Sequence, residues 1–362
     1  MKRRVFLAAP LVAAACSAAP GPTLLPRERR GQVIPEYRLP ADASFDIWRR
    51  HLDLSVMRKR PTILALSGGG EDGAFGAGLL NGWSATGKRP DFDLVTGVST
   101  GALIAPFAFV GASEDRVLRR IYTTHDQGDI LRSRFPGGIV QDAIFDSEPM
   151  RQLLDIYIDE ALLERIAARH ASGARMFVVT SNLDTGRAWI WNMGAIAAAG
   201  EIDLFRSVTL ASASIPGVFP PVRIRLSTER GALSEAHVDG GVNMQLLAVP
   251  DAAFRNLSAT AGSGGSLYLV INNTLSPTQN AVPRRALSIM QATFSSMVRA
   301  SARQTTESAR RYSERTGMAF EVAAVGPDFD VPFDASERFS LDYMRPLYRY
   351  GYTRATSGDA WR

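Results

Sequence analysis

The chain has 362 residues, of which 46% are hydrophobic and 21% are charged, and its formal net charge is +5. This length and composition are typical of a globular protein with a sizeable core, built as one large α/β domain or two smaller ones. The positive charge comes almost entirely from arginines that are scattered along the sequence. Nucleic-acid-binding proteins usually have their basic residues clustered in one patch or stripe, so we expect no nucleic-acid partner. The lone cysteine, Cys16, excludes an intramolecular disulfide and a cysteine-rich metal site.

The first residues of the chain predict an export signal. A basic start at residues 1–4 precedes an apolar run too short to span a bilayer as a mature helix, so we predict a signal peptide over residues 1–15. Small residues directly before Cys16 resemble a bacterial lipoprotein cleavage box, which makes Cys16 the lipidated first residue of the mature protein. The alternative is an ordinary cleaved signal with an incidental cysteine. The Arg3-Arg4 pair leaves the Sec and twin-arginine export routes both open.

A lipid anchor at Cys16 places the protein on a membrane of the cell envelope. Ser17 follows Cys16, and by resemblance to lipoprotein sorting rules this favours the outer membrane if the cell is Gram-negative. Residues 16–44 contain five prolines and show little periodicity, so we predict a lipidated N-terminus followed by an extended tether. The apolar spacing in residues 45–60 predicts a short helical lead-in to the folded domain.

Strands alternate with helices from residue 61 to residue 355, and residues 356–362 follow as a C-terminal tail. The alternation predicts a single three-layer α/β domain whose mostly parallel central sheet is flanked by helices. The domain begins with two strand–turn–helix units, with strands at 61–66 and 92–96, glycine turns at 67–73 and 97–101, and helices at 74–83 and 102–110. Both turns should therefore lie at the same edge of one parallel sheet.

The rest of the domain continues this alternation. Three glycines inside the helix at 74–83 predict that another backbone packs very close to it. Prolines forbid a regular helix in the apolar segment 215–222. The other predicted elements are a polar helix at 114–127, helices over 148–171, a hairpin of strands at 175–182 and 188–192, a helix at 202–214, strands at 236–242 and 266–272, a long amphipathic helix at 284–315 and a strand at 318–325.

Ser99 is the candidate nucleophile. It lies in a Gly-x-Ser-x-Gly turn between a buried strand and a helix, which fits a nucleophile elbow, although a glycine-flanked helix-capping serine has the same pattern. The three glycines Gly68, Gly69 and Gly70 of the first turn can direct N–H groups into one concavity that suits a phosphate or an oxyanion. The turn also matches a dinucleotide fingerprint, but Asp93 lies at the start of the second strand, where the fingerprint needs an acid at its end.

Asp239 is the candidate base. None of the four histidines lies after it in the chain, so the Ser, acid, histidine order of an α/β-hydrolase cannot be completed. Asp239 ends a strand before Gly240-Gly241 and is placed to approach Ser99 directly, unless it is a simple turn residue. His237, two residues before it on the same strand face, is an orienting neighbour, a substitute base or a buried structural histidine. Asp184 fits a hairpin turn residue.

Three motifs in sequence order resemble the patatin-like phospholipase family: Gly68-Gly69-Gly70-x-x-Gly73, Gly97-x-Ser99-x-Gly101 and Asp239-Gly240-Gly241. The segments at 183–186 and 215–221 and the Gly351-Tyr352 pair look like that family too, so the resemblance covers roughly residues 60–355. It implies a Ser-Asp dyad without histidine, with Ser99 as nucleophile, Asp239 as general base, and Gly68, Gly69 and Gly70 as oxyanion hole. The family often carries Arg or Lys two positions after the third glycine, where this chain has Asp72.

The motifs and the resemblance together predict a serine acyl hydrolase of phospholipid or other lipid acyl esters. We expect an acyl-enzyme on Ser99, no metal and no cofactor, and a membrane attachment through lipidated Cys16. The segment 215–222 is expected to line an acyl pocket or to pack in the core. Two alternatives are a non-catalytic envelope lipoprotein, in which Asp239 does not reach Ser99, and a nucleotide-binding enzyme with an open phosphate cradle at residues 68–73.

Overall fold

The two predicted strand–turn–helix units form the centre of the fold. The computed structural model describes residues 37–52, 60–134, 143–228, 231–255, 264–276, 284, 286–334 and 337–362. Its strands are β1 (Arg38–Pro40), β2 (Thr62–Leu66), β3 (Leu94–Val98), β4 (Arg132–Ser133), β5 (Phe145–Asp146), β6 (Arg175–Asn182), β7 (Arg187–Asn192), β8 (Val222–Thr228), β9 (Gly231–Asp239), β10 (Ser266–Thr274) and β11 (Ala319–Val325). Its helices are α1 (Phe45–Leu52), α2 (Gly73–Ala85), α3 (Thr100–Val110), α4 (Asp115–Thr124), α5 (Gln127–Ile130), α6 (Glu148–Tyr157), α7 (Glu160–Ala171), α8 (Met193–Ala198), α9 (Ile202–Ser212), α10 (Asp251–Arg255), α11 (Ala286–Thr316) and α12 (Leu341–Ser357).

Nine of these described strands form one sheet, in the order β1-β7-β6-β3-β2-β10-β11, with β9 paired to β6 and β8 to β9. The strands from β6 to β11 in this order are parallel, and β1, β7, β8 and β9 pair antiparallel. Leu66 lies opposite Gly97, and Val98 lies opposite Val179. The carboxyl ends of β2, β3 and β6 therefore meet at one edge, and both glycine turns lie there as predicted.

Helices cover both faces of the sheet. On one face, Trp48 of α1 packs edge-on against Phe177 of β6, and Leu269 of β10 shares a core cluster with Tyr312 of α11. On the other face, α2 and α3 contact the central strands, and the ring of Trp83 of α2 packs at a tilt against that of Tyr268 of β10. Because both faces are covered, β3 and β6 are buried along their whole length. The prediction of a three-layer α/β domain with a mostly parallel sheet is confirmed.

The glycines inside α2 allow very close contact with α12. A Cβ atom on Gly78 would lie 1.9 Å from the backbone oxygen of Tyr348, and one on Gly351 would lie 2.3 Å from that of Phe75. Each helix thus carries glycine where the other backbone approaches. The predicted close packing of α2 is confirmed, but the sequence did not indicate that its partner is a helix at residues 341–357.

Both predicted boundaries of the folded domain need correction. Residues 38–40, assigned to the tether, form β1 and pair with β7, where Pro40 lies on an edge strand that tolerates its missing N–H. At the other end, residues 356–362, which were predicted to be a tail, pack against the domain. Trp361 packs at a tilt against Trp83 with ring centroids 4.7 Å apart, and the backbone of Arg362 exchanges hydrogen bonds with Val322. The domain therefore includes β1 and extends to the last residues.

The predicted signal peptide, Cys16 and the tether up to residue 36 lie outside the described residues, as do residues 53–59 of the predicted lead-in helix. The part of that helix that the structure describes is α1. Within the described ranges, no helix combines the length and the hydrophobicity needed to cross a membrane.

Candidate active site

The second glycine turn forms a sharp elbow between β3 and α3. Ser99 adopts φ 55° and ψ −124°, a conformation that residues other than glycine rarely adopt. A Cβ atom on Gly101 would lie 2.3 Å from the backbone oxygen of Leu66, and one on Gly97 would lie 2.4 Å from that of Gly101. Both flanking positions therefore require glycine. The elbow places Ser99 at the N-terminal end of α3, as predicted for a nucleophile.

A buried serine on α9 holds this elbow. The N–H of Ser99 donates to Ser212 Oγ at 3.0 Å, and the Ser212 hydroxyl donates to the backbone oxygen of Val179 at 2.7 Å. The next N–H, that of Thr100, begins α3 and has no hydrogen-bond partner among the described residues. Thr100 was not predicted from the sequence as a site residue, although the residue after an elbow nucleophile commonly donates to an oxyanion.

The first glycine turn lies beside the elbow. A Cβ atom on Gly69 would lie 1.9 Å from the backbone oxygen of Asn272, and Gly70 has a φ of +60°, so neither position accepts another residue without strain. In the described part of the chain, the N–H groups of Gly69 and Gly70 have no hydrogen-bond partner. Gly68 differs from the prediction, because its N–H already donates to the backbone oxygen of Gln245 at 3.2 Å.

Asp239 ends β9, and its carboxyl group is buried next to Ser99. Its Oδ1 accepts the N–H of Gly241 at 2.7 Å, while its Oδ2 is buried without a hydrogen-bond partner of ordinary geometry among the described residues. Burial raises the pKa of Asp239 to about 7, and hydrogen bonding from the Ser99 side chain and the Gly241 N–H opposes that rise. The fold thus brings together two residues from motifs far apart in the sequence.

An apolar pocket of about 830 Å³, including space open to solvent, adjoins these groups. Gly70, Ser99 and Thr100 form part of its wall. Most of the remaining wall is apolar and includes Phe107, Met150, Leu154, Ile158 and Met344. From the segment 215–222, Ile215 lines the pocket, whereas Val218 and Phe219 are buried. The segment therefore contributes both to the pocket and to the core.

Comparison with known proteins identifies the family of the chain. A family model described as patatin-like phospholipase matches residues 64–249, just over half of the chain. The chain belongs to the patatin-like phospholipase family. No curated protein matches it. The crystal structure of VipD from Legionella pneumophila is similar to it over 83% of this chain and 67% of VipD, with 12% sequence identity and a TM-score of 0.38.

At position 72, where the resemblance leads us to expect a basic residue, this patatin-like chain carries an aspartate. Asp72 is half-buried, and its partial loss of solvation raises its pKa to about 7, while its carboxyl group accepts the hydroxyl of Tyr343 at 2.6 Å. The adjacent Glu71 forms a bidentate ion pair with Arg338, with both distances 2.7 Å. Arg338 Nη2 would lie 3.3 Å from a Cβ atom on Gly70. The loop before α12 thus supplies a guanidinium group beside the glycine turn.

His237 has a structural role in this patatin-like fold. It is completely buried, which lowers its pKa, and its ring bonds to Thr180 Oγ1 at 2.9 Å and to Glu235 Oε2 at 3.1 Å. Glu235 in turn pairs with the buried Arg38 of β1. Asp184 accepts the N–H of Ala236 at 2.9 Å, so this hairpin residue also supports β9. The interpretation of His237 as a buried structural histidine is the one that fits.

The dinucleotide interpretation of the first glycine turn does not fit the patatin-like fold. Asp93 would have to approach a ribose at the turn, but it accepts the N–H of Thr62 at 2.8 Å, at the opposite end of β2. Within the described residues, no group of three or more histidine, cysteine or carboxylate side chains is placed to hold a metal ion.

Proposed function

We propose that this protein is a serine acyl hydrolase of lipid esters, a phospholipase A or lipid esterase with a Ser-Asp dyad. The observation that carries the proposal is the buried carboxyl group of Asp239, whose Oδ2 has no other partner among the described residues and lies next to Ser99. A base with a pKa near the working pH is best suited to remove and return a proton. His237 is committed to Thr180 and Glu235, so Asp239 acts without a histidine.

In the proposed reaction, ionised Asp239 takes the hydroxyl proton of Ser99 while Ser99 Oγ attacks the ester carbonyl. The N–H groups of Gly69, Gly70 and Thr100 stabilise the negative charge on the carbonyl oxygen. The C–O bond to the alcohol then breaks, and protonated Asp239 returns its proton to the leaving oxygen. Water, deprotonated by the same carboxylate, attacks the acyl-enzyme, and the bond between the acyl carbon and Ser99 Oγ breaks. Asp239 returns the proton to Ser99 Oγ, and the fatty acid is released. The pocket beside Ser99 holds the acyl chain, because its buried wall is apolar.

The proposed base must be ionised, so kcat/KM on a neutral ester is expected to rise with pH. The rise should be centred near pH 7, the pKa to which burial brings Asp239. Measuring kcat/KM from pH 5 to pH 9 checks this. A profile that is flat across this range contradicts Asp239 as the base.

The decisive experiment is hydrolysis of short-chain acyl esters and phospholipid vesicles by the purified protein. We expect Ser99→Ala and Asp239→Asn each to lower kcat/KM by roughly 100-fold or more. Asp93→Asn is the matched control, because it neutralises a carboxyl group at the far end of the same sheet, and it should keep most of the activity. Equal turnover by the wild type, Ser99→Ala and Asp239→Asn overturns the proposal and favours a non-catalytic binding protein.

We also propose that the chain is exported and anchored in the cell envelope through lipidated Cys16. The basic start, the short apolar run and the small residues before Cys16 support this. Metabolic labelling with a fatty-acid analogue in a bacterial host should mark the wild type but not Cys16→Ser. Equal labelling of both proteins, or of neither, contradicts the anchor.

A further inference from the structure

Gln245 follows Asp239 closely in the chain and carries a buried side-chain amide. The residue is only 3% exposed, and its backbone oxygen accepts the N–H of Gly68. The side-chain amide, in contrast, forms no hydrogen bond with any residue that the structure describes. Its two polar atoms keep a trace of accessible surface, unlike the enclosed Oδ2 of Asp239. Almost all buried polar groups in proteins have a partner, so this amide is expected to bind water or a ligand.

The amide lies beside both members of the proposed dyad. A Cβ atom on Gly68 would lie 2.7 Å from Gln245 Nε2 and 3.0 Å from the Cβ atom of Ser99. A Cβ atom on Gly241 would lie 2.6 Å from Gln245 Oε1 and 2.9 Å from Asp239 Oδ1. The amide therefore extends from the first glycine turn, next to Ser99, to the carboxyl group of the base.

Glycine at position 241 leaves room beside these two oxygen atoms. The φ of Gly241 lies outside the left-handed region, so its backbone conformation does not itself require glycine. Gly241 is half-buried, which gives a small molecule a route from solvent. Gln245 Oε1 and the ionised carboxyl group of Asp239 only accept hydrogen bonds. A molecule that satisfies both must donate two hydrogen bonds, as water does.

The amide lies outside the pocket assigned to the acyl chain. Neither Gln245 nor Gly241 belongs to the apolar wall beside Ser99, so an acyl chain in that pocket leaves the amide uncovered. The trace of surface on the amide is enough for water and too small for the alcohol part of a lipid. These observations favour water as the occupant.

We propose that Gln245 binds and orients the water that hydrolyses the acyl-enzyme. This inference rests on the proposed hydrolysis and adds a residue that contacts its second reactant. One O–H of the water donates to Gln245 Oε1 and the other to ionised Asp239, which leaves an oxygen lone pair to attack the acyl carbon on Ser99. Asp239 takes the proton from the second O–H, and the bond between the acyl carbon and Ser99 Oγ breaks. Asp239 then returns the proton to Ser99 Oγ, while the water oxygen and its other proton leave in the fatty acid.

The test follows the fate of the acyl-enzyme, so it does not depend on how fast that intermediate forms. The full-length protein hydrolyses p-nitrophenyl butyrate in the presence of hydroxylamine, a strong nucleophile that competes with water for the acyl group. The measured quantity is the ratio of butyryl hydroxamate to butyrate. Gln245→Met keeps the length of the side chain but removes the amide, and it should raise this ratio about 10- to 100-fold. Labelling of Ser99 by a fluorophosphonate probe, which reports the reactivity of the serine alone, should stay within about twofold of the wild-type rate.

Two further variants complete the test. Asn243→Met removes an exposed amide from the same turn and is the matched control, which should change neither the ratio nor the labelling rate. Gly241→Ala adds a methyl group beside Gln245 Oε1 and should also raise the ratio, so the test does not depend on the folding of Gln245→Met.

An unchanged product ratio in Gln245→Met and Gly241→Ala overturns the proposal. If labelling and turnover of Gln245→Met fall by the same factor while the ratio stays constant, the amide has only a packing role. An equal rise of the ratio in Asn243→Met also contradicts a specific role for Gln245. A wild type that is neither labelled on Ser99 nor forms either product refutes the proposed hydrolysis itself, which distinguishes that failure from a failure of the water site.

Discussion

The substitution Asp239→Asn is expected to stabilise the protein while removing its activity. Burial raises the pKa of Asp239 from 3.8 to about 7. Between about pH 4 and pH 7 the folded protein keeps a proton on this carboxyl group that the unfolded chain has released, so the free energy of unfolding falls as pH rises through that window. A shift of about 3 pKa units corresponds to roughly 4 kcal/mol once the group is fully ionised in both states. Asparagine retains the Oδ1 that accepts the Gly241 N–H and never ionises.

Urea unfolding of the wild type and Asp239→Asn at pH 5, 6, 7 and 8 measures this difference. The excess stability of the variant over the wild type should be under about 2 kcal/mol at pH 5 and should grow to about 4 kcal/mol at pH 8. Asp72, whose pKa burial also raises to about 7, contributes the same slope to both proteins and cancels. Ser99→Ala is the matched control, since it is equally inactive but keeps the buried carboxyl group and gains no stability at high pH. The reasoning is refuted if the difference between Asp239→Asn and the wild type is independent of pH, or if the variant is less stable at pH 8.

Two further predictions concern buried groups that hold the site. Ser212→Ala leaves the buried N–H of Ser99 without its acceptor and should lower the free energy of unfolding by about 1–3 kcal/mol. Ser214→Ala removes an equally buried hydroxyl that is bonded only to the backbone oxygen of Leu210 in the preceding helix, and it should cost under about 1 kcal/mol by urea titration. Arg38→Ala leaves Glu235 buried without its cation and should cost roughly 3–5 kcal/mol, whereas Arg187→Ala at an exposed pair should cost under about 1 kcal/mol. Equal losses within either pair contradict the assigned roles.

The central strands of the sheet could be predicted because their burial on both faces determines the pattern of apolar residues in the sequence. A strand covered on both faces needs a continuous apolar run, and β2, β3 and β6 each have one between turn residues. The glycines of α2 likewise indicated a close backbone neighbour. The neighbour itself, α12, was missed because Pro346 and the arginines and tyrosines around it obscure an apolar stripe. Its stability comes from the contact with α2, which lies far away in the sequence.

The reactive residues were easier to predict than the groups around them. Ser99 lies in a turn whose two glycines are required sterically, so its motif is local. The bond from Ser212 to the elbow and the bond from Gln245 to Gly68 join segments more than a hundred residues apart, and nothing in either segment indicates the other. The role of Arg38 could not be predicted for the same reason. The prolines around it indicated an extended tether, and only the fold shows that Arg38 pairs with the buried Glu235, nearly two hundred residues later in the chain.

Covalent trapping of the nucleophile tests the central claim most directly. A fluorophosphonate probe reacts with an activated serine in the same way as an ester, and peptide mass spectrometry identifies the modified residue. The account predicts one adduct, on Ser99, forming faster as pH rises through about 7, and forming roughly 100-fold or more slowly in Asp239→Asn. Labelling of a different residue, or equal labelling rates in the wild type and Asp239→Asn, would contradict it.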